Sequence, residues 1–287
     1  MYELYEDSLY TDSGKNKKTY KNFEPKLGLK LNILDFKTNN IASTRQYKID
    51  LFSNIGKYFR VPSFYELFGD RGFIVGNPDL KAEQSINFDL GLSFIFKSLY
   101  SKLELTSSYF VNSVNKAISY VYDARGVGKA VNIEKALIKG IESSLNYTYK
   151  ALNMNINYSH KTPLVSSGLY EGNFLAGRFK DKLFFKTSCD ILSNSKNTVS
   201  AQSNIKLIPW YSFAYSNGLY YDSVNNLSAI PKYLHSLGLR YEHSFPKKQT
   251  ILFADFHIKN LLGKNYQDYH RFYTAGRQYY LSLGLEF

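Results

Sequence analysis

The stretch FRVPSFYELFGDRGFIVGNPDLKAEQSINFDLGLSFIF, Phe59–Phe96, decides the fold. Its first half is rich in glycine and proline, which predicts a long loop. Its second half alternates without a break between large apolar and small polar residues. The apolar positions are Ile86, Phe88, Leu90, Leu92, Phe94 and Phe96. Because successive side chains of a strand point to opposite faces, this pattern predicts a β-strand with one apolar face.

The same two-residue period recurs along most of the chain, for example in Leu152–Tyr158 and Tyr279–Phe287. Many runs approach the ~9–11 residues that a tilted strand needs to cross the hydrocarbon of a bilayer. The 26 Tyr and 21 Phe among 287 residues also favour strands. These features predict an all-β fold, a transmembrane antiparallel β-barrel. A soluble all-β protein is the alternative.

Short and long connections between the predicted strands alternate. The short ones are expected near 36–43, 97–100, 149–151, 192–198 and 244–249, and the long ones near 59–83, 112–132, 161–177, 214–231 and 260–275. Barrels of the outer membrane have short turns at the periplasmic rim and longer loops outside. The long connections are therefore predicted to be external.

The number of strands predicts that part of the wall is missing. The pattern predicts about 11 or 12 strands, and our direct count is about eleven. Bacterial single-chain barrels have an even number of strands, so an odd count indicates that a strand is missing. An unpaired edge in lipid would leave backbone groups without partners. We assign residues 1–19 to an N-terminal loop or partial strand and residues 20–287 to the barrel, and we expect the chain to be incomplete at its N-terminus.

Six segments resemble, in the same order, blocks of the TonB-dependent receptors of the Gram-negative outer membrane. They are FEPKLGLKL (Phe23–Leu31), GKYFRVPSFYELFG (Gly56–Gly69), GNPDLKAEQSINFDLGLSF (Gly76–Phe94), IKGIESSLNYTY (Ile138–Tyr149), IKNLLGKNY (Ile258–Tyr266) and AGRQYYLSLGLEF (Ala275–Phe287). The resemblance covers most of residues 20–287. In the family, the matching blocks belong to the C-terminal half of a roughly 22-stranded barrel.

The resemblance implies a receptor of the cell outer membrane that takes up a scarce, bulky ligand. A ferric siderophore is the first expectation and cobalamin the second. Members of the family are energised by an inner-membrane TonB complex that acts on a plug domain, and no segment here resembles a plug. Coupling to the TonB complex would need that absent domain. A passive pore or a structural barrel without energy coupling is the alternative function.

Three sets of residues are candidates for function. The family-motif residues are Arg60, Pro62, Glu66, Leu67, Asn77, Pro78, Leu80 and Glu83. The candidate ligand-binding residues of the long loops are Tyr65, Arg71, Tyr122, Arg125, Tyr170, Tyr215, Tyr269, His270 and Arg271. Tyrosine and arginine supply stacking, hydrogen bonds and cation–π contacts to planar or anionic ligands. For the tyrosines, an interfacial girdle is the competing interpretation, and Trp210 is expected in the girdle or a loop.

The third set is an assembly signal at the end of the chain. It consists of Tyr279, Leu281, Leu283, Leu285 and Phe287. This pattern of alternating apolar residues with a terminal aromatic is similar to the signal that outer-membrane barrels present to the barrel-assembly machinery. That machinery is therefore an expected partner, together with outer-membrane lipid. The formal charge of +12 is also suited to attract anionic lipopolysaccharide or an anionic ligand.

Several classes of function are disfavoured by the sequence. No motif of a hydrolase, metalloprotease or phosphate-binding loop is present, so no enzyme and no cofactor are expected. The single Cys189 and five scattered His predict no metal site. No histidine lies between Arg60 and Asn77, where haem receptors of the family carry a ligand. Nucleic-acid binding is not expected, because the aromatic residues follow the apolar positions.

Inward-facing charges complete the prediction. Asp89, Glu104, Glu142 and Asp255 fall on polar positions of the alternating segments and are expected to line the lumen. Lys102, Lys186 and Arg240 are their expected partners. A charge on the lipid face would cost about 2–4 kcal/mol near the midplane, so this placement follows from the fold.

Overall fold

The computed structural model describes residues 2–11, 14–40, 43–70, 72–123, 125–133, 135–192, 204–245, 250–269 and 272–287. The strands in these ranges are β1 Tyr2–Thr11, β2 Gly14–Phe23, β3 Lys26–Asn40, β4 Ser43–Arg60, β5 Ile74–Val75, β6 Glu83–Lys97, β7 Ser101–Asn115, β8 Ile118–Tyr122, β9 Gly128–Asn132, β10 Lys135–Tyr149, β11 Leu152–Ser167, β12 Asp181–Cys189, β13 Asn204–Asn217, β14 Lys232–Phe245, β15 Thr250–Lys259, β16 Gln267–Tyr269, β17 Phe272–Tyr273 and β18 Gln278–Glu286. One short helix, α1, spans Phe64–Phe68.

Eleven antiparallel strands form the main sheet, in the order β3-β4-β6-β7-β10-β11-β12-β13-β14-β15-β18. The predicted count of eleven is confirmed. Successive wall strands are neighbours throughout, as in an up-and-down barrel wall. The strands β1 and β2 pair as a separate hairpin, and β5, β8 and β9 form a small sheet within the connections.

The predicted alternation of short and long connections is confirmed where the structure describes them. The long connections are residues 61–82, 116–134, 168–180, 218–231 and 260–277, and they contain α1 and all the small strands. Short turns separate β6 from β7 and β10 from β11. Of the other expected turns, residues 41–42, 193–198 and 246–249 lie outside the described residues. Strands extend into two of these turns, because β3 continues to Asn40 and β14 to Phe245.

Most wall strands are longer than the ~9–11 residues that crossing hydrocarbon requires. β4 has 18 residues, and β3, β6, β7 and β10 have 15 each. The additional length lets a strand continue beyond the bilayer towards the connections. One irregularity interrupts the alternation in β3. The register shifts between Asn32 and Leu34, so a bulge at Ile33 moves the apolar face from Leu31 to Leu34.

Cross-strand pairing keeps the two faces of the sheet separate. The apolar face carries Leu27, Ile55, Phe88, Leu92, Val111, Leu145, Ile156, Phe185, Phe213, Leu237, Phe256 and Leu281. The polar face carries Asp50, Asn54, Asp89, Glu104, Glu142, Asn157, Lys182, Lys186, Ser212, Arg240, Asp255 and Ser282. The register confirms that the charges predicted to face inward share one polar face.

Large side chains of the apolar face are exposed rather than packed against a second sheet. Leu92 is 51% and Leu283 is 73% accessible. The buried hydrophobic residues instead form two clusters where the ends of the strands meet the long connections, one with Ala136 and Val165 and the other with Leu67 and Leu80. A bare apolar face over a whole sheet is what a strand wall presents to lipid.

The predicted assembly-signal residues of β18 lie on this same apolar face. Tyr279, Leu281, Leu283 and Leu285 pair with apolar-face residues of β15, and β18 is the last strand of the sheet. Phe287 follows the strand and is exposed. Their role in assembly stays a prediction. Among the described residues, no helix has the length and apolar character needed to cross a membrane.

Candidate functional site

A capping box starts the short helix α1 in the first long connection. The Ser63 hydroxyl oxygen accepts a hydrogen bond from the Glu66 N–H at 3.3 Å, and the Glu66 carboxylate accepts one from the Ser63 N–H at 2.7 Å. The spacing of Ser63 and Glu66 is that of a reciprocal cap. Gly69 ends the helix with φ 72°, a conformation that glycine adopts without strain.

Arg60 joins this helix to the next strand. Its Nε donates to Glu83 Oε2 at 2.7 Å, and its Nη1 donates to Glu66 Oε2 at 2.9 Å. The other oxygen of Glu83 accepts a hydrogen bond from the Ile118 N–H at 2.6 Å. Burial acts to raise the pKa of Glu66, but the hydrogen bonds from Arg60 and Ser63 outweigh it and hold that pKa below its usual range. Glu66 is therefore a carboxylate at neutral pH.

The NPDL turn fixes the other end of the same connection. The Asn77 N–H donates to the Glu66 carbonyl at 2.9 Å, and Asn77 Nδ2 donates to the Ala130 carbonyl at 2.9 Å. Leu80, which is 1% exposed, packs with Leu67 and Ala130. Arg60, Glu66, Asn77, Leu80 and their partners thus attach the 61–82 connection to the β8–β9 hairpin. We call this set of contacts the motif lock.

The other long connections are also joined to each other. Asn173 Nδ2 donates to the Ser223 carbonyl at 2.9 Å, and Ser223 Oγ donates to the Tyr120 carbonyl at 3.1 Å. The Tyr221 hydroxyl donates to the Gln267 carbonyl at 3.3 Å. Connections 116–134, 168–180, 218–231 and 260–277 therefore form one interlocked layer at the same end of the sheet.

The candidate ligand-binding residues that the structure describes are distributed over this layer, the 61–82 connection and the wall rather than gathered at one point. Tyr65 is 44% exposed and its hydroxyl donates to Asp70 at 3.3 Å, while Tyr122 lies at the end of β8. Arg125 is bound to its neighbour Asp123 at 2.9 Å. Tyr170 packs against the buried cluster of Ala136 and Val165.

The remaining candidates differ from the sequence expectation or lie outside the structure. Tyr215 was expected in a long connection, but β13 continues to Asn217 and places it in the wall. Its ring lies 5.1 Å from that of its partner Tyr233 on the apolar face, the arrangement of a girdle. Tyr269 belongs to β16. Arg71, His270 and Arg271 lie outside the described residues.

A cleft of about 670 Å³ lies against the polar face, next to the interlocked layer. Residues of six adjacent strands, β7 and β10 to β14, line it together with Phe179 of the 168–180 connection. Polar-face groups around it include Glu142, Asn157, Lys182 and Lys232. Its volume is in the range of small-molecule sites, about 300–1,000 Å³.

Sequence reasoning missed the aromatic residues of the polar face. Trp210 was expected in the girdle or a loop, but it lies on the polar face opposite Gly238. A Cβ atom at Gly238 would lie 2.4 Å from the indole ring, so only glycine leaves room for it. Phe52 lies in the same way over Gly91, and Phe253 over Gly284. The signal was a glycine directly opposite each aromatic residue, which only the strand register shows.

The predicted pairing of inward charges is confirmed in part. Lys102 contacts Glu104 at 2.7 Å. Arg240 contacts Glu242 at 2.7 Å and Glu286 at 3.2 Å, and Asp255 contacts His257. Lys186 lies instead over the ring of Trp210, with its Nζ 4.8 Å from the ring centroid. In the described residues no group of three or more His, Cys, Asp or Glu could hold a metal ion.

Comparisons with known proteins agree with this architecture. The family model described as "TonB dependent receptor-like, beta-barrel" matches residues 2–282. The chain is similar to the ferric enterobactin receptor of Pseudomonas aeruginosa, with 26% identity in a match that covers 37% of this chain and 17% of that protein.

Solved structures show the same fold. A variant of the ferric enterobactin receptor of Pseudomonas aeruginosa in complex with enterobactin aligns with a TM-score of 0.56 at 18% identity, over 98% of this chain and 44% of that chain. The copper transporter OprC aligns with a TM-score of 0.57 at 15% identity, over 83% of this chain and 38% of that chain. The chain thus spans less than half the length of these relatives.

Proposed function

Because this chain belongs to the TonB-dependent receptor-like β-barrel family of the outer membrane, we propose that it forms part of a receptor for uptake of a ferric siderophore. The family is one of receptors and transporters rather than enzymes. The observation that carries the proposal is the cleft on the polar face, which lies beside the interlocked layer of long connections. A ligand that passes these connections would reach that cleft first.

Three further partners belong to the same proposal. The apolar face would contact outer-membrane lipid, and the basic residues of the long connections would contact lipopolysaccharide. The apolar-face residues of β18 together with Phe287 would be recognised by the barrel-assembly machinery. Energy would come from the TonB complex through a plug domain, which the family model matched here does not include.

Growth and transport assays test the proposed uptake. Cells that produce the receptor as their sole siderophore receptor are grown under iron limitation with ferric siderophores or, separately, with cobalamin supplied as a required nutrient. We expect accumulation of radioactive iron from at least one ferric siderophore, and its loss when the TonB complex is inactivated. Accumulation that is insensitive to the TonB complex would indicate a passive pore. Rescue by cobalamin alone would replace the siderophore by that ligand.

A further inference from the structure

The connection of residues 218–231, between β13 and β14, is folded on itself. The Ala229 N–H donates to the Leu219 carbonyl at 2.8 Å, and the Tyr221 N–H donates to the Leu227 carbonyl at 2.8 Å. Leu219 is 4% exposed. These backbone hydrogen bonds lie inside the connection, so they persist when it separates from its neighbours. We call this connection the lid.

The tip of the lid is also fixed from within. The Asp222 carboxylate accepts hydrogen bonds from the Asn226 N–H at 3.1 Å and the Leu227 N–H at 2.8 Å, and Asp222 is 7% exposed. Asn225 has a φ of 62°, in the left-handed region that asparagine occupies more readily than most residues. The backbone of the lid therefore holds Asn225, while its side chain contacts a different connection.

The lid meets the connection of residues 168–180 along a boundary that we call the seam. Asn225 Nδ2 donates to the Phe174 carbonyl at 2.9 Å, and Asn225 Oδ1 accepts a hydrogen bond from the Phe174 N–H at 2.6 Å. The rings of Phe174 and Tyr220 stack across the seam, with their centroids 5.8 Å apart. The Gly177 N–H donates to the Tyr220 carbonyl at 2.8 Å. Side chains therefore make most of these contacts, whereas backbone hydrogen bonds hold the lid together.

Asn225 differs from the other residues of the lid that bond to neighbouring connections. The hydrogen bonds that Ser223 and Tyr221 make to those connections are single bonds to separate residues. Asn225 instead makes two hydrogen bonds to one residue, Phe174. Its side chain is thus the strongest polar link across the seam that we find.

The cleft on the polar face lies between the bases of these two connections. Phe179, near the end of the 168–180 connection, lines the cleft. Ser216 and Lys232, which flank the lid in β13 and β14, line it as well. Gly218 begins the lid with a φ of 72°, a conformation that glycine adopts without strain. A gap along the seam would therefore lead to the cleft.

We propose that the lid opens along the seam as a rigid body, that Asn225 is the latch that keeps it closed, and that the open seam leads to the cleft. Separation along the seam breaks mainly side-chain contacts. Unfolding of the lid breaks its internal backbone hydrogen bonds as well, so the seam separates first. This inference rests on the proposed function for what passes through the seam, whereas the opening itself follows from the contacts.

Hydrogen exchange of the receptor in lipid vesicles, resolved to single amides, tests the opening. The variant is Asn225→Gly, which removes the latch while glycine keeps the φ of 62° without strain. Val224→Ala is the matched control, because Val224 lies beside the latch and is 52% exposed. The Gly177 amide reports on the seam, and the amides of Tyr221 and Ala229 report on the interior of the lid.

We expect Asn225→Gly to accelerate exchange of Gly177 about 30-fold, as the loss of two hydrogen bonds implies. Exchange of Tyr221 and Ala229 should stay within about threefold of the unaltered receptor, because opening leaves their bonds intact. Val224→Ala should change none of the three. Equal acceleration at the seam and inside the lid would mean that the lid unfolds rather than opens. An unchanged Gly177 would mean that Asn225 is not the latch.

Thiol labelling tests the route to the cleft. Ser216→Cys, combined with Cys189→Ser, places a single thiol in the cleft. A bulky, water-soluble maleimide should label it about tenfold faster when Asn225→Gly is added, and at an unchanged rate when Val224→Ala is added. Faster exchange of Gly177 without faster labelling would overturn the seam as the route. Neither measurement uses a siderophore, so a failure here is distinguishable from a failure of the proposed uptake.

Discussion

Arg60 is the residue through which the motif lock acts, because it bridges Glu66 and Glu83 from one guanidinium. The Arg60→Ala substitution would leave Glu66, which is 7% exposed, without its cation. We expect the free energy of opening the 61–82 connection to fall by about 1–3 kcal/mol. Hydrogen exchange of the amides of Leu67, Asn77 and Leu80 measures that opening.

Arg125→Ala is the matched control for this substitution. The Arg125 side chain is 82% exposed and binds only Asp123 among the ion pairs of the described residues. Exposed pairs of this kind contribute about 0–1 kcal/mol. Its removal should therefore leave the exchange of Leu67 and Leu80 unaltered. An equal acceleration in the two variants would mean that the Arg60 bridge does not hold the connection.

Glu66 also makes the motif lock sensitive to acid. Its pKa is lowered in the folded state, so its contribution to stability is present above the unfolded pKa of about 4.3 and is lost as pH falls through the folded pKa. After correction for the intrinsic pH dependence of amide exchange, the free energy of opening the 61–82 connection should be level from about pH 7 to pH 5 and fall below about pH 4. The Glu66→Gln variant should exchange faster but lack that acid transition. Persistence of the transition would show that it does not come from Glu66.

At the scale of the strands, the pairs of glycine and aromatic residues stabilise the polar face. The Gly238→Ala substitution places a methyl group 2.4 Å from the Trp210 ring and must displace it. We expect a loss of about 1–3 kcal/mol in stability, since overpacking forces side chains off their rotamers. Trp210 is the only tryptophan, so its fluorescence emission reports the displacement directly. Gly276→Ala is the control, because nothing lies within 4 Å of its added Cβ; a matching emission shift there would contradict the explanation.

The strands also show which features could be predicted from the sequence and which could not. The alternation in Ile86–Phe96 predicted β6 and its two faces, because the two-residue period of a strand is visible within a short stretch of sequence. The bulge at Ile33 was missed, since apolar residues at both 33 and 34 fit either register. Trp210 was placed on the wrong face because its position depends on Gly238, a residue of the neighbouring strand. Contacts between strands are absent from a single-sequence pattern.

At the scale of the whole molecule, the candidate site was less predictable than the wall. The long connections were located correctly, but their folding depends on contacts between distant residues, such as Asn173 with Ser223. The cleft draws on six strands, and Phe179 and Lys232 meet there only because β12, β13 and β14 are adjacent. From residue type alone, we predicted a site made of tyrosines and arginines of the loops. The strand register instead brings lysines and a phenylalanine together in the cleft.

The division of the molecule into a lipid face and a lumen face can be tested at two neighbouring positions. Leu237 lies on the apolar face of β14, midway between Tyr233 and Tyr241, and Ser236 lies on the polar face beside it. Leu237→Arg should destabilise the folded wall by about 2–4 kcal/mol, since it places a charge near the bilayer midplane. Ser236→Arg should have a much smaller effect, because its side chain enters the lumen. Urea unfolding of the receptor in lipid vesicles measures both, and equal destabilisation by the two substitutions would contradict the assignment of the faces.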